Sequence, residues 1–182
     1  MTTHVAFLRG INVGGRRRVP MEALRGLAES LGLSNPTTYI QSGNLVFDAD
    51  DDTTRLTRLL ESALEQRFGF EIPVVTRTGA ELEEVARSHP FTSLGLDERY
   101  LMVAFLDREP EVDIGDVLDA EDLQPDRFEL SGREVYLAYP NGSGRSRLTH
   151  DLLQRRLAVT ATIRNRRTIL RLLELSRPNS RI

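Results

Sequence analysis

Apolar and polar positions change their period several times along the chain, and each change marks an element. Val5-Ala6-Phe7-Leu8-Arg9 is a short apolar run that reads as a strand. Beyond a glycine-rich stretch, Met21, Leu24, Leu27, Ala28 and Leu31 recur at helical spacing, and Gly32 stops the run. Pro20 suits the first turn of that helix, where a missing N–H costs nothing. Thr37–Gln41 and Asn44–Asp48 are rich in β-formers, and Ser42-Gly43 between them predicts a hairpin with a two-residue loop. Asp50-Asp51-Asp52-Thr53 opens a helix with Leu56, Leu59, Leu60, Ala63, Leu64 and Phe68 on one face. Gly69 ends it, and Ile72–Thr76 reads as another strand, so the order is βαββαβ.

Leu82, Val85 and Ala86 mark a short helix before His89-Pro90-Phe91, and then the pattern restarts. Tyr100–Leu106 predicts a strand, and a helix is expected near 110–119. Phe128–Leu130 and Glu134–Tyr139 are strands joined at Ser131-Gly132. A helix over Arg147–Leu157, a strand over Val159–Ile163 and a closing helix over Asn165–Leu175 follow. The hairpins overlay: Tyr39-Ile40-Gln41-Ser42-Gly43-Asn44-Leu45-Val46-Phe47 on Phe128-Glu129-Leu130-Ser131-Gly132-Arg133-Glu134-Val135-Tyr136. With the repeated element order, this favours an internal duplication. The expected fold is α+β, two ferredoxin-like βαββαβ halves plus a C-terminal helix. Residues 1–78 form the first half, 79–98 a connecting helix and linker, and 99–182 the second half with its closing helix. Several strands are apolar on both faces, which suits sheets covered on both sides.

The stretch Arg9-Gly10-Ile11-Asn12-Val13-Gly14-Gly15-Arg16-Arg17-Arg18 follows the first strand and holds three glycines, an asparagine and four arginines. Its spacing is neither a Walker A loop nor a dinucleotide fingerprint. In a βαββαβ sheet of order 4-1-3-2, the loop leaving strand one, the turn leaving strand two and the connection at Gly69 share one rim. Arg9, Asn12, Gln41, Ser42 and Asn44 then converge, with Gly14 and Gly15 allowing close backbone approach. Such a rim suits phosphate or carboxylate. Arg164, Asn165, Arg166, Arg167 and Arg171 crowd the start of the closing helix, where positive charge opposes the helix dipole. Solvent, the acidic middle of the chain or an anionic partner must compensate, and Arg164 and Asn165 are counted with the rim as candidate ligand-binding residues. The duller readings stand beside these: glycines that only turn the chain, amides that only satisfy backbone groups, and Arg16-Arg17-Arg18 as a solvated surface.

Arg-Gly-Ile-Asn-Val-Gly-Gly at 9–15, Val-Pro-Met at 19–21, Tyr-Ile-Gln-Ser-Gly-Asn at 39–44 and Thr-x-Arg-Asn at 162–165 together resemble a bacterial family catalogued as domain of unknown function 1697. The resemblance extends over nearly the whole chain and implies two ferredoxin-like subdomains, with no activity to carry over. Arg166 stands where the family commonly has an aromatic residue.

Composition narrows the function. The net charge of -3 hides an asymmetry: residues 1–44 sum to +3, residues 45–144 to -14, and residues 145–182 to +8. Every basic residue is Arg, which a coding bias alone can produce, so the choice of Arg carries no argument for bidentate recognition. The absence of cysteine excludes thiolate chemistry and disulfides and, with no signal-like or membrane-length apolar run, reads as cytoplasmic. Asp48, Asp50, Asp51 and Asp52 lack an EF-hand pattern and read as helix capping rather than a metal site. His4, His89 and His150 have no ligand spacing, so no metal and no cofactor is expected. Phe7 and Phe47 occupy strands that an RNA-recognition motif would use, but the rest of that motif is missing, and both read as core. The leading expectation is a module binding a phosphorylated small molecule or nucleic acid at the rim. An enzyme is the first alternative, with the Arg and amide side chains stabilising an oxyanion; no catalytic residue is assigned. A protein–protein interaction module, basic ends meeting the acidic middle of another copy, is the second.

Overall fold

The computed structural model describes residues 1–177. The last part of the expected C-terminal half, residues 178–182, lies outside the described residues. The described residues divide into two compact units: Met1–Glu84 together with residues 171–177, and Val85–Leu170.

The first unit contains β1 (Thr2–Leu8), α1 (Met21–Ser30), β2 (Ser34–Tyr39), β3 (Asn44–Ala49), α2 (Thr53–Phe68) and β4 (Val74–Thr78), and α3 (Gly79–Arg87) begins in it. Its antiparallel sheet runs β2-β3-β1-β4. The second unit contains β5 (Leu101–Leu106), α4 (Ile114–Val117), β6 (Arg127–Ser131), β7 (Glu134–Ala138), α5 (His150–Leu157) and β8 (Ala161–Asn165), and α6 (Arg166–Ser176) starts there. Its sheet repeats the order as β6-β7-β5-β8. The described residues therefore form a duplicated α+β arrangement of two four-stranded antiparallel sheets and six helices.

Local chemistry explains the helices. Asp52 caps α2 by accepting the Arg55 N–H at 2.9 Å, while Asp50 pairs with the Met1 amino group and Asp51 with Arg55. Leu56, Leu60 and Leu64 form its buried stripe, and Gly69 ends it at φ +79°. Thr149 caps α5, and Asn165 caps α6 by accepting the Thr168 N–H at 2.9 Å. In the first unit these helices lie over Ala6, Leu8, Leu45 and Phe47. In the second, α4 and α5 lie over Ala104, Leu106, Val135 and Leu137. Each such leucine or phenylalanine contributes about 2 kcal/mol by leaving water. The other face of each central strand, Val5 and Phe7 or Val103 and Phe105, is fully buried as well.

Three expectations need correction. The loop between β2 and β3 has four residues, not two: β2 stops at Tyr39 because Ile40 takes φ +49°. The helix expected near 110–119 shrinks to Ile114–Val117. Asp119 draws the N–H groups of Glu121 and Asp122 to its side chain, a local alternative to helix bonding. The hairpin overlay is out of step by one residue. Phe7 pairs with Asn44 and Phe105 with Glu134, so Val46 corresponds to Tyr136 rather than Val135. A shift of one would put every side chain on the wrong face. The repeat is written more plainly in Val5-Ala6-Phe7-Leu8 and Val103-Ala104-Phe105-Leu106, an identity the hairpin comparison missed.

Candidate functional site

The rim is built around the end of β1. The Leu8 N–H donates to the Gly43 carbonyl at 2.8 Å, and the Arg9 N–H to the Pro73 carbonyl at 2.9 Å. The chain then makes a miniature hairpin in which Val13 and Arg16 pair across Gly14 and Gly15. Both glycines have positive φ, +59° and +73°, as the tightest hairpin turn demands. Asn12, itself at φ +55°, locks this hairpin down. Its Nδ2 donates to the carbonyls of Val19 at 2.9 Å and Gln41 at 2.8 Å, and its Oδ1 accepts the Val19 N–H at 2.9 Å. The glycine loop and the 40–43 turn are thus neighbours, as the topology predicted. The Gly69 connection joins them: Arg17 donates from Nη2 to the Glu71 carbonyl and lies over the Phe70 ring at 5.2 Å.

This geometry sorts the candidates. Asn12 and the fully buried Asn44 hold the backbone; the Asn44 Nδ2 donates to the Tyr39 carbonyl at 3.0 Å and to Ser42 Oγ at 2.9 Å. Gly14 and Gly15 are required by their turn, although nothing lies within 4 Å of where their side chains would point. Gln41 is exposed, and among the described residues its amide has no partner. Arg9 is half-buried; its Nε is fully shielded from solvent and, among the described residues, has no hydrogen-bond partner. Arg16 and Arg18 are exposed, without an ion pair among the described residues. Arg164 and Asn165 belong to the second unit. Arg164 donates to Thr162 Oγ1 at 2.7 Å and to the Ile163 carbonyl at 2.9 Å, and burial brings its pKa down to about 10. Asn165 is the cap of α6.

Sequence reasoning missed two apolar residues at the rim, Val13 at 71% exposure and Ile40 at 51%. Ile40 is β-branched and left-handed, a combination that costs about 1–2 kcal/mol and that no burial offsets. Nothing in the local sequence marks it except its place before Gln41-Ser42-Gly43.

The arginines that begin α6 meet acids of the middle segment. Arg166 pairs with Glu98 at 2.5 Å and Arg167 with Asp97 at 3.3 Å. The Arg99 backbone N–H holds the Asp97 carboxyl below its usual range, and the guanidinium groups of Arg167 and Arg99 add to this. Among the described residues no three His, Asp or Glu side chains gather as a metal site, and no helix is long and apolar enough to cross a membrane.

Fold and rim together define a duplicated α+β protein with one basic, glycine-turned rim. The chain belongs to the family described as Protein of unknown function (DUF1697), whose model matches residues 1–136. A solved structure, the conserved bacterial protein SP0830 from Streptococcus pneumoniae, is similar in fold: the TM-score is 0.74 at 21% identity, over 97% of this chain and 99% of that one. A comparison with curated proteins found no match.

Proposed function

We propose that each half is a ferredoxin-like unit and that the rim of the first binds a ligand through a phosphate group, on a phosphorylated small molecule or a nucleic acid. The observation that carries this reading is Arg9. A guanidinium whose Nε is buried and unpartnered is an uncompensated charge, and a phosphate supplies both the countercharge and the acceptors. The Gln41 amide and the exposed Gly14 and Gly15 backbone offer further donors around it, and Arg16 and Arg18 add an attractive field. Asn12 and Asn44 hold these donors in place instead of touching the ligand.

The test is thermal unfolding against nucleotides, sugar phosphates and short RNA, with Arg9→Gln in parallel. A ligand at a hundred times its dissociation constant adds about 2.7 kcal/mol. The expected result is a shift that Arg9→Gln abolishes while its own unfolding stays cooperative. A steep decline with salt assigns nucleic acid, and a shallow one a small phosphate. No shift with any compound, or a shift that Arg9→Gln leaves intact, overturns the reading.

A further inference from the structure

The duplication makes each half a template for the other. In the first unit α1 is a ten-residue helix that lies along β2 and buries Met21, Leu24 and Ala28. The matching place in the second unit holds only the four-residue α4 and an irregular strap, residues 118–126. Strand β6, the counterpart of β2, is left with Phe128 and Leu130 only partly buried. A cavity of about 870 Å³ opens over it, lined by α4, the strap and α5. That volume falls within the roughly 300–1,000 Å³ of small-molecule sites.

The lining is divided by chemistry. Leu118, Leu123, Phe128 and Leu152 form an apolar floor. Arg147 and Arg156 stand on the α5 side, and among the described residues neither has an acidic partner. Leu152 and Arg156 are four residues apart on α5 and so share one face. Asp116, Asp119 and Asp122 line the α4 and strap side. An occupant must therefore cover an apolar floor, place negative charge at the arginines and carry none at the aspartates.

We infer that this groove binds a small organic monoanion with an apolar body, its charged group toward Arg147 and Arg156. The site is independent of the rim and lies wholly within the second unit. Polyanions such as nucleotides are disfavoured, because their second charged end would face the three aspartates.

A pair of dyes tests this directly. Anilinonaphthalene sulfonate has the required apolar body and single anion; N-phenylnaphthylamine has nearly the same body without the charge. The full-length protein is titrated with each. The expected result is saturable, one-to-one binding of the sulfonate. Arg156→Gln, and separately Arg147→Gln, weaken it about tenfold, the loss of one charge-assisted contact. Both variants change the neutral dye by less than twofold. Ala120→Trp, a bulky group at an exposed lining position, excludes both dyes while unfolding stays cooperative, and Arg9→Gln changes neither. The inference is overturned if the sulfonate does not saturate, if it binds both arginine variants as well as the parent, or if Arg9→Gln abolishes its binding.

Discussion

Arg9 and Asp107 occupy the same position in the two halves. The Arg9 backbone N–H bonds the Pro73 carbonyl, and that of Asp107 bonds the Thr160 carbonyl, at 2.9 and 3.0 Å. Their side chains differ in sign and in circumstance. The Asp107 carboxylate accepts the Thr160 N–H at 2.9 Å and the Arg108 guanidinium at 2.7 Å, so it closes its own corner of the fold. Among the described residues the Arg9 guanidinium has no partner. The loops that follow diverge in the same sense: Arg16-Arg17-Arg18 in one half, Asp107, Glu109, Glu111 and Asp113 in the other. One backbone frame thus supports one corner that satisfies itself and one that leaves a cation without a partner. A duplicated fold separates what the frame needs from what one copy adds.

The two hairpin turns should differ most. Gly43 is buried at φ +82°, and a Cβ there would meet Leu8 Cβ at 2.7 Å and Ile11 Cδ1 at 2.8 Å. Gly132 has φ +58° and open space around it. Gly43→Ala should lower stability by about 3 kcal/mol or more, from overpacking plus the left-handed backbone; Gly132→Ala should lower it by about 1 kcal/mol. Urea unfolding measures both, and equal losses would mean that the two turns are packed alike.

Next in size is Asn12→Ala, which removes three hydrogen bonds and puts alanine in a left-handed conformation, for a loss of about 2–3 kcal/mol. Gln41→Ala, at the far end of one of those bonds, keeps the backbone carbonyl that accepts from Asn12 and should stay within about 0.5 kcal/mol.

The buried histidines offer a third contrast. Burial lowers the pKa of His4 and of His89 from the ordinary 6.5. Unfolding restores the ordinary value, so the unfolded chain binds more protons in acid. Stability is full above pH 6.5 and falls as the pH drops toward the folded values, by at most about 1.4 kcal/mol per pH unit for each histidine. His4 stacks on Phe47, and among the described residues neither of its ring nitrogens has a partner within hydrogen-bond geometry, whereas His89 is bonded at both, to the Met102 carbonyl and the Phe91 N–H. His4→Phe should flatten the acid limb with little loss at pH 8. His89→Phe should flatten it too, but lose about 1–3 kcal/mol at every pH, because it removes the bonds to the Met102 carbonyl and from the Phe91 N–H. The smallest expected effect is at the paired position itself. Asp107→Ala should destabilise by about 1 kcal/mol and Arg9→Gln by less than about 0.5 kcal/mol.

Much of this was legible beforehand. The element order, the closure of α2 by Asp52 and Gly69, and the meeting of the glycine loop with the 40–43 turn all follow from periodicity, caps and topology. What was not legible depends on partners distant in sequence. Asn12 looks like a ligand-binding amide until Val19 and Gln41 are seen to engage it, and Asn44 until Tyr39 and Ser42 do. Ile40 reads as strand because β-branched residues belong there, yet the turn forces it left-handed. The helix expected near 110–119 is cut short because Asp113 caps it at Ile114 and Leu118 turns extended, which hydrophobic spacing does not register. Arg9 was visible as a candidate; its lack of a partner was not.

The assignment of the chain from Arg171 to the first unit bears on synthesis. Residues 85–170 leave the ribosome before that segment and can close as a continuous piece. The first unit, although its strands and helices emerge earliest, lacks Leu173 and Ser176 beside Thr3 and Gly79 until the end of α6 appears. The half that carries the rim is thus begun first and completed last.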